Sequence, residues 1–208
     1  MATELKTGAL TSLARVKDRI GISDTGFDTV LERIINGVTD EIQSYCNRIF
    51  KQQTYTNEVY SPPARGMDTI ALKQAPVVSI SAAEYRAGSV STPSWTGFTT
   101  DQFEIVNDGA SGLVRIYGGV PYGTNAIRFT YLAGYKVDFE NPNDTSKHTL
   151  PFDLSDIAER LTIKRFKRRE AEGKLTESFE SGSVTWQDYL TVDDKRVLDR
   201  YGRLPQIV

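Results

Sequence analysis

The sequence predicts an α+β protein, a helical bundle built from both chain ends with an inserted, mainly antiparallel β-sheet. Three observations predict it. Apolar residues recur at helical spacing up to about residue 50; short segments rich in Thr, Val, Ile and Tyr run from Lys51 to Tyr135; helical spacing returns from Leu150. The expected division is 1–50 for the N-terminal helices, 51–135 for the inserted sheet, and 136–208 for the C-terminal helices and a tail.

In "LTSLARVKDRIG", Leu10, Leu13, Val16 and Ile20 share one helical face and Gly21 supplies a stop. Ser23 or Asp24 can cap the next helix, on which Phe27, Val30, Leu31, Ile34, Ile35, Val38, Ile42, Tyr45, Cys46 and Ile49 follow the i, i+3, i+4, i+7 rule. Cys46 lies on that stripe and reads as a small buried residue. Next, "TIALKQAPVVSISAAEY" breaks at Pro76, and "DQFEIVNDGASGLVRIYGG" reads as a hairpin across Asn107 to Gly112. "NAIRFTYLAGY" sets Ile127, Phe129 and Tyr131 against Arg128 and Thr130, the alternation of a strand with one buried face. Gly134 marks where that strand stops. Pro151 precedes a helix from near Leu154 to about Ala171, "EGKLTESFESGS" reads as a flexible link, and "VDDKRVLDRYGRLP" as a final helix ended by Gly202 and Pro205, with Asp193 and Asp194 favouring its start.

Composition excludes several functions. With 39% hydrophobic and 25% charged residues, 208 residues suffice for a good core, and no apolar run approaches the roughly 20 residues a membrane helix needs. "MATELKTGALTSL" lacks the basic-then-apolar order of a secretory signal, so synthesis in a cytoplasm is expected. One cysteine precludes an intramolecular disulfide, and Cys46 with the single His148 precludes a Cys/His zinc site. No GxSxG, Walker A, HExxH or GxGxxG string occurs, and the acids and His148 of "KVDFENPNDTSKHT" fit no catalytic template. No catalytic residue, metal site or cofactor is therefore expected, and an enzyme is the weaker class; a hydrolase acting through the sheet's loops would show activity on polymeric substrates.

The helix from Leu154 raises a further expectation. Leu154, Ile157, Ala158 and Leu161 mark one face, whereas Ile163 and Phe166 point to others, so one buried stripe cannot hold them all. A neighbouring subunit is the simplest second partner. From Glu159 to Lys174 there are seven Lys or Arg against three Glu, although the formal net charge of the chain is −2. The cations suit a solvated face, salt bridges to a neighbouring subunit, or, with Arg160 to Lys174 as the patch, a nucleic-acid-binding module. The expected subunit interface is Ile163, Arg165, Phe166, Arg168 and Arg169.

The order of four stretches resembles the head-tail connector (adaptor, or head completion) proteins of tailed bacteriophages. "LARVKDRIGISDTGFDTVLERIINGVTDEIQSYCNRIF" is similar to their two N-terminal helices, and "LKQAPVVSISAAEY" with "FTYLAGY" to the edges of a β insertion. "LPFDLSDIAERLTIKRFKRREAEG" is similar to their central helix, and "VTWQDYLTVDDKRVLDRYGRLP" to the closing strand-like loop and terminal helix, ending on Leu198, Asp199, Tyr201 and Arg203. Two departures concern the Pro-Phe-Asp-Leu start, one residue longer than usual, and the long loop before it. The resemblance implies a structural protein of the virion neck, a homo-oligomeric ring, twelve copies by expectation, beneath the portal protein, with genomic DNA passing through without sequence-specific contact and no membrane. It also implies a stopper or tail-completion protein of the neck as a further partner, and that role as the closest rival for this chain itself. The tail Leu204, Pro205, Gln206, Ile207 and Val208 is expected to dock on the portal.

Overall fold

The computed structural model describes residues 5–63, 66–88, 92–169, 176–179, 182–185 and 190–202. The α+β class holds: four α-helices and three antiparallel sheets lie among these residues. Two compact units are present, one joining Met1–Asn47 with Val137–Gly202, the other spanning Arg48–Lys136.

The first unit holds the helices. In α1 (Leu13–Ile20) the Ser12 side chain accepts from the Arg15 amide and Gly21 ends the helix in the left-handed region. The helix α2 (Asp28–Cys46) buries Leu31, Ile35, Val38, Thr39, Ile42 and Cys46. Its start departs from expectation. Asp24 Oδ1 accepts from the Gly26 amide inside a turn, and Phe27, which offers no capping side chain, precedes the helix. At the other end Asn47 terminates α2 in the left-handed region, which leaves Ile49 outside the helix and 40% exposed. The α3 helix (Phe152–Arg168) starts after Pro151, and α4 (Val192–Asp199) is opened by a capping box between Thr191 and Asp194. Between α3 and α4 the segment expected to be a flexible link contains a hairpin, β8 (Thr176–Phe179) with β9 (Gly182–Thr185).

The second unit holds β1 (Gln53–Tyr60), β2 (Thr69–Ala71), β3 (Val77–Gly88), β4 (Pro93–Gly97), β5 (Phe103–Ile105), β6 (Leu113–Ile116) and β7 (Ile127–Ala133). They form two sheets where one was expected, in the orders β1-β7-β3-β4 and β2-β6-β5. Tyr60, Val77, Phe129 and Tyr131 from the first and Ile70, Val114 and Ile116 from the second share one core, so each sheet covers the other's apolar face. Residues 127, 129, 131 and 133 of β7 are buried and the intervening three are half-buried, the alternation read from the sequence. The break at Pro76 falls between β2 and β3, and β5 and β6 pair as the expected hairpin, with a 3-10 turn (Val106–Gly109) in their connection. A bulge in β1 between Tyr55 and Glu58 aims Glu58 inward, where it accepts from both the Tyr60 and Tyr131 hydroxyls. Beyond β7, Gly134 has φ 107°, and a Cβ there would lie 2.7 Å from Lys51 O. Glycine is required at that turn because the chain crosses its own strand entry.

Candidate assembly surface of the helical unit

The α3 helix is the hub of its unit. Asp153 stands in its first turn and Arg165, Lys167 and Arg168 in its last, the charge order that complements a helix dipole. Eight of its 17 residues are buried, more than one stripe can supply, because α1, α2 and α4 all pack against it. That changes the reading of its apolar excess. Phe166 is 5% exposed in a cluster with Ala9, Val16, Leu31 and Ile35, and Ile163 packs partly buried against the same cluster. The second partner for these two expected interface residues is thus found within the chain itself.

The cations are also engaged. Arg165 pairs with Glu41 of α2. Arg169 is exposed, but its guanidinium sits 4.2 Å from the Phe166 ring centroid and 5.1 Å from that of Phe27, while Nη1 donates to the Phe166 carbonyl. Arg168 is half-buried. Ile163, Arg165, Phe166 and Arg169 therefore meet α2 and the residues before it. The expected docking tail, Leu204 to Val208, lies outside the described residues.

A network that sequence reading did not find runs along the other side of α3. Arg15 Nε lies 2.8 Å from Glu159 Oε1, and Arg19 Nη1 lies 3.2 Å from Glu159 Oε2 and 2.7 Å from Asp156 Oδ1. Arg160 bridges Asp156 at 2.9 Å and Asp194 at 2.8 Å, and Lys164 stands 3.9 Å from Asp194. Glu159 is 6% and Asp194 1% exposed, so each needs the cations that face it. Burial pushes the Asp194 carboxyl up, but hydrogen bonds from Thr191 and the charges of Arg160 and Lys164 outweigh it and leave the group below its ordinary value. Asp156 is likewise lowered: desolvation opposes, and the hydrogen bonds from Arg19 and Arg160 prevail. The i, i+4 spacing of Asp156 and Arg160 was the one local signal of this network.

In the loop before α3, His148 Nδ1 accepts from the Asp138 amide and its ring lies against Phe139. Among the described residues no group of three or more His, Cys, Asp or Glu is placed to hold a metal ion. No described helix is long and apolar enough to cross a membrane.

Residues 10–92, from α1 through β3, match the family model described as phage gp6-like head-tail connector protein. The resemblance to head-tail connectors holds. Two solved structures extend the likeness in fold to the whole chain. One is a chain from the neck of an empty gene transfer agent (GTA) particle computed with C6 symmetry, with a TM-score of 0.60, 16% identity, and coverage of 99% of this chain and 95% of that one. The other comes from the virion of a native gene transfer agent particle, with a TM-score of 0.59, 15% identity, and coverage of 100% and 96%. No curated protein matches. The likeness to head-tail connectors points to action through surfaces, and the described geometry offers α3 and the helices around it as the frame that positions them.

Proposed function

We propose that this chain is a head-tail connector, a structural virion protein of the neck that forms a ring, twelve copies by expectation, beneath the portal protein. In this role it continues the DNA channel and hands on to a stopper or tail-completion protein. The observation that carries the reading is the family match over residues 10–92. The fold shared with a chain from a neck computed with C6 symmetry supports it, and a ring of twelve is compatible with that symmetry.

The pairing of the α3 cations favours protein contacts over a DNA-binding patch. Arg160, Lys164 and Arg165 face carboxylates of their own unit and do not form an open row of positive charge toward phosphates. A channel wall of that kind lets DNA pass without gripping it. Electron microscopy of the full chain mixed with its portal protein tests the proposal: a ring of density on the portal is the expected result. Binding on the tail side of a separate adaptor would instead assign the chain to the stopper role, and salt-dependent DNA binding by the isolated chain would favour the nucleic-acid reading.

A further inference from the structure

Phe152, the first residue of α3, is 72% exposed, a large apolar group on the surface of the helical unit. It does not stand alone. The Arg15 guanidinium lies 5.7 Å from its ring centroid and 5.6 Å from that of Phe139, so two aromatic rings flank one cation. Phe139 leans in turn on His148, with ring centroids 5.3 Å apart. Arg15 is itself fixed by Glu159 at 2.8 Å, which holds the group in place. The entry to α3 thus carries an ordered aromatic patch that leaves most of the Phe152 ring in solvent.

The chain returns to this place at its end. Tyr201, just beyond α4, donates its hydroxyl to the carboxylate of Asp153, whose two oxygens lie 2.7 and 2.9 Å away, and Asp153 is the neighbour of Phe152. One tyrosine side chain therefore separates the last described residues, Tyr201 and Gly202, from the first turn of α3. Six residues follow, "RLPQIV", and at about 3.3 Å each they reach about 20 Å, enough to cross the patch. Their chemistry suits it. Leu204, Ile207 and Val208 are aliphatic, and proline, here Pro205, docks on aromatic-lined surfaces. Arg203 brings a cation to a unit in which Glu140, exposed beside Phe139, has no ion pair among the described residues.

We propose that in the free chain residues 203–208 turn back on their own unit and cover the patch of Phe152, Arg15 and Phe139. Ordering six residues costs conformational entropy that one exposed ring and three aliphatic side chains outweigh only narrowly. The contact is therefore weak, and it yields when the tail meets a firmer partner. The inference concerns the chain before assembly and needs neither ring nor portal, so it stands or falls apart from both.

Photo-crosslinking of the full-length chain tests it, with benzoylphenylalanine replacing Phe152, which keeps an aromatic ring there, or replacing Val192 as the control. Val192 is 76% exposed at the start of α4, a helix of eight residues and about 12 Å, so it too lies within reach of the tail. Residues 203–208 should be joined to position 152 about tenfold more often than to position 192, within one chain and independently of protein concentration. A second measurement leaves the tail unaltered. Carboxypeptidase should release Val208 and Ile207 about fivefold faster from Phe152→Ala than from wild type, while the two proteins melt within about 1 °C of each other. Equal crosslinking at the two positions overturns the proposal, as does release from Phe152→Ala at the wild-type rate. Crosslinks that join two chains and grow with concentration also overturn it, since they would give the patch to a second copy.

Discussion

Asp194 works at two levels at once: with Thr191 it opens α4, and with Arg160 and Lys164 it ties α4 to α3. Removing its carboxylate costs both a cap and the buried anion that the partly exposed Arg160 and Lys164 face, so Asp194→Ala should destabilise the helical unit by about 2–3 kcal/mol in chemical denaturation. Its titration and that of Asp156 give stability a definite pH dependence. Both carboxyls lie below their ordinary values when folded, so on acidification the unfolded chain takes up protons first. The stability they contribute is complete above about pH 5 and is lost as the pH falls through their folded-state values. Denaturation midpoints measured from pH 7 to pH 3 should fall at the acid end, and less steeply in Asp194→Asn; equal slopes in the two proteins would contradict the assignment. Gly134 is a backbone case. Its φ of 107° and the 2.7 Å approach of Lys51 O leave no room for a side chain, so Gly134→Ala should destabilise the sheet unit by about 2 kcal/mol or more. Retained wild-type stability would show that the turn can relax.

At the scale of elements, α3 decides how its unit holds together, and its buried end gives the direct test. Phe166→Ala should cost about 3–5 kcal/mol, since the ring is buried and its edge-to-face contact with Phe27, at 5.3 Å between centroids, is lost too. Arg165→Glu alone should cost no more than about 1 kcal/mol, and the exchange Glu41→Arg with Arg165→Glu should recover most of it, as for a half-exposed pair. Failure of the exchange to recover stability would place the main role of Arg165 elsewhere. These elements were unequally legible in the sequence. The period of two in Ile127, Phe129 and Tyr131 was plain because one face of β7 is buried and the other is not. Helices α1 and α2 were plain for the same reason at period 3.6. The split into two sheets was hidden, because β2 and β5 are three residues each and too short to carry a period. The β8–β9 hairpin is not legible, since "EGKLTESFESGS" is polar and glycine-bearing without alternating apolar residues and so suggests a flexible link. The apolar excess of α3 points in the sequence to a neighbouring subunit, whereas Ile163 and Phe166 pack within their own unit, and no periodicity says whether a partner is the same chain. Arg19 and Glu159 sit 140 residues apart, and ion pairs at such separation leave no local trace.

At the scale of the whole molecule, three anchors of the helical unit among the described residues precede the C-terminal tail. Tyr201 Oη donates to Asp153 at 2.7 Å, Tyr45 Oη donates to Asp199 at 2.7 Å, and the Cys46 thiol donates to the Leu198 carbonyl at 3.5 Å, with Leu198 fully buried. Cutting the chain before Leu204 removes none of these three contacts, so the helical unit should still fold when Leu204 to Val208 are deleted. The effect on assembly should be far larger. We propose that the tail docks on the portal protein, where Pro205 would limit its freedom, its main chain would add hydrogen bonds to a strand edge, and Leu204, Ile207 and Val208 would fill pockets. One such contact is weak, but in the proposed ring linked copies would hold one another at high effective concentration, so modest contacts would multiply into firm attachment. The truncated protein should therefore stay folded and soluble and self-associate like wild type, yet fail to remain on DNA-filled heads when these are purified and probed for it. Heads that retain the truncated protein and still join tails would show that attachment to the portal runs through the folded units and not through the tail.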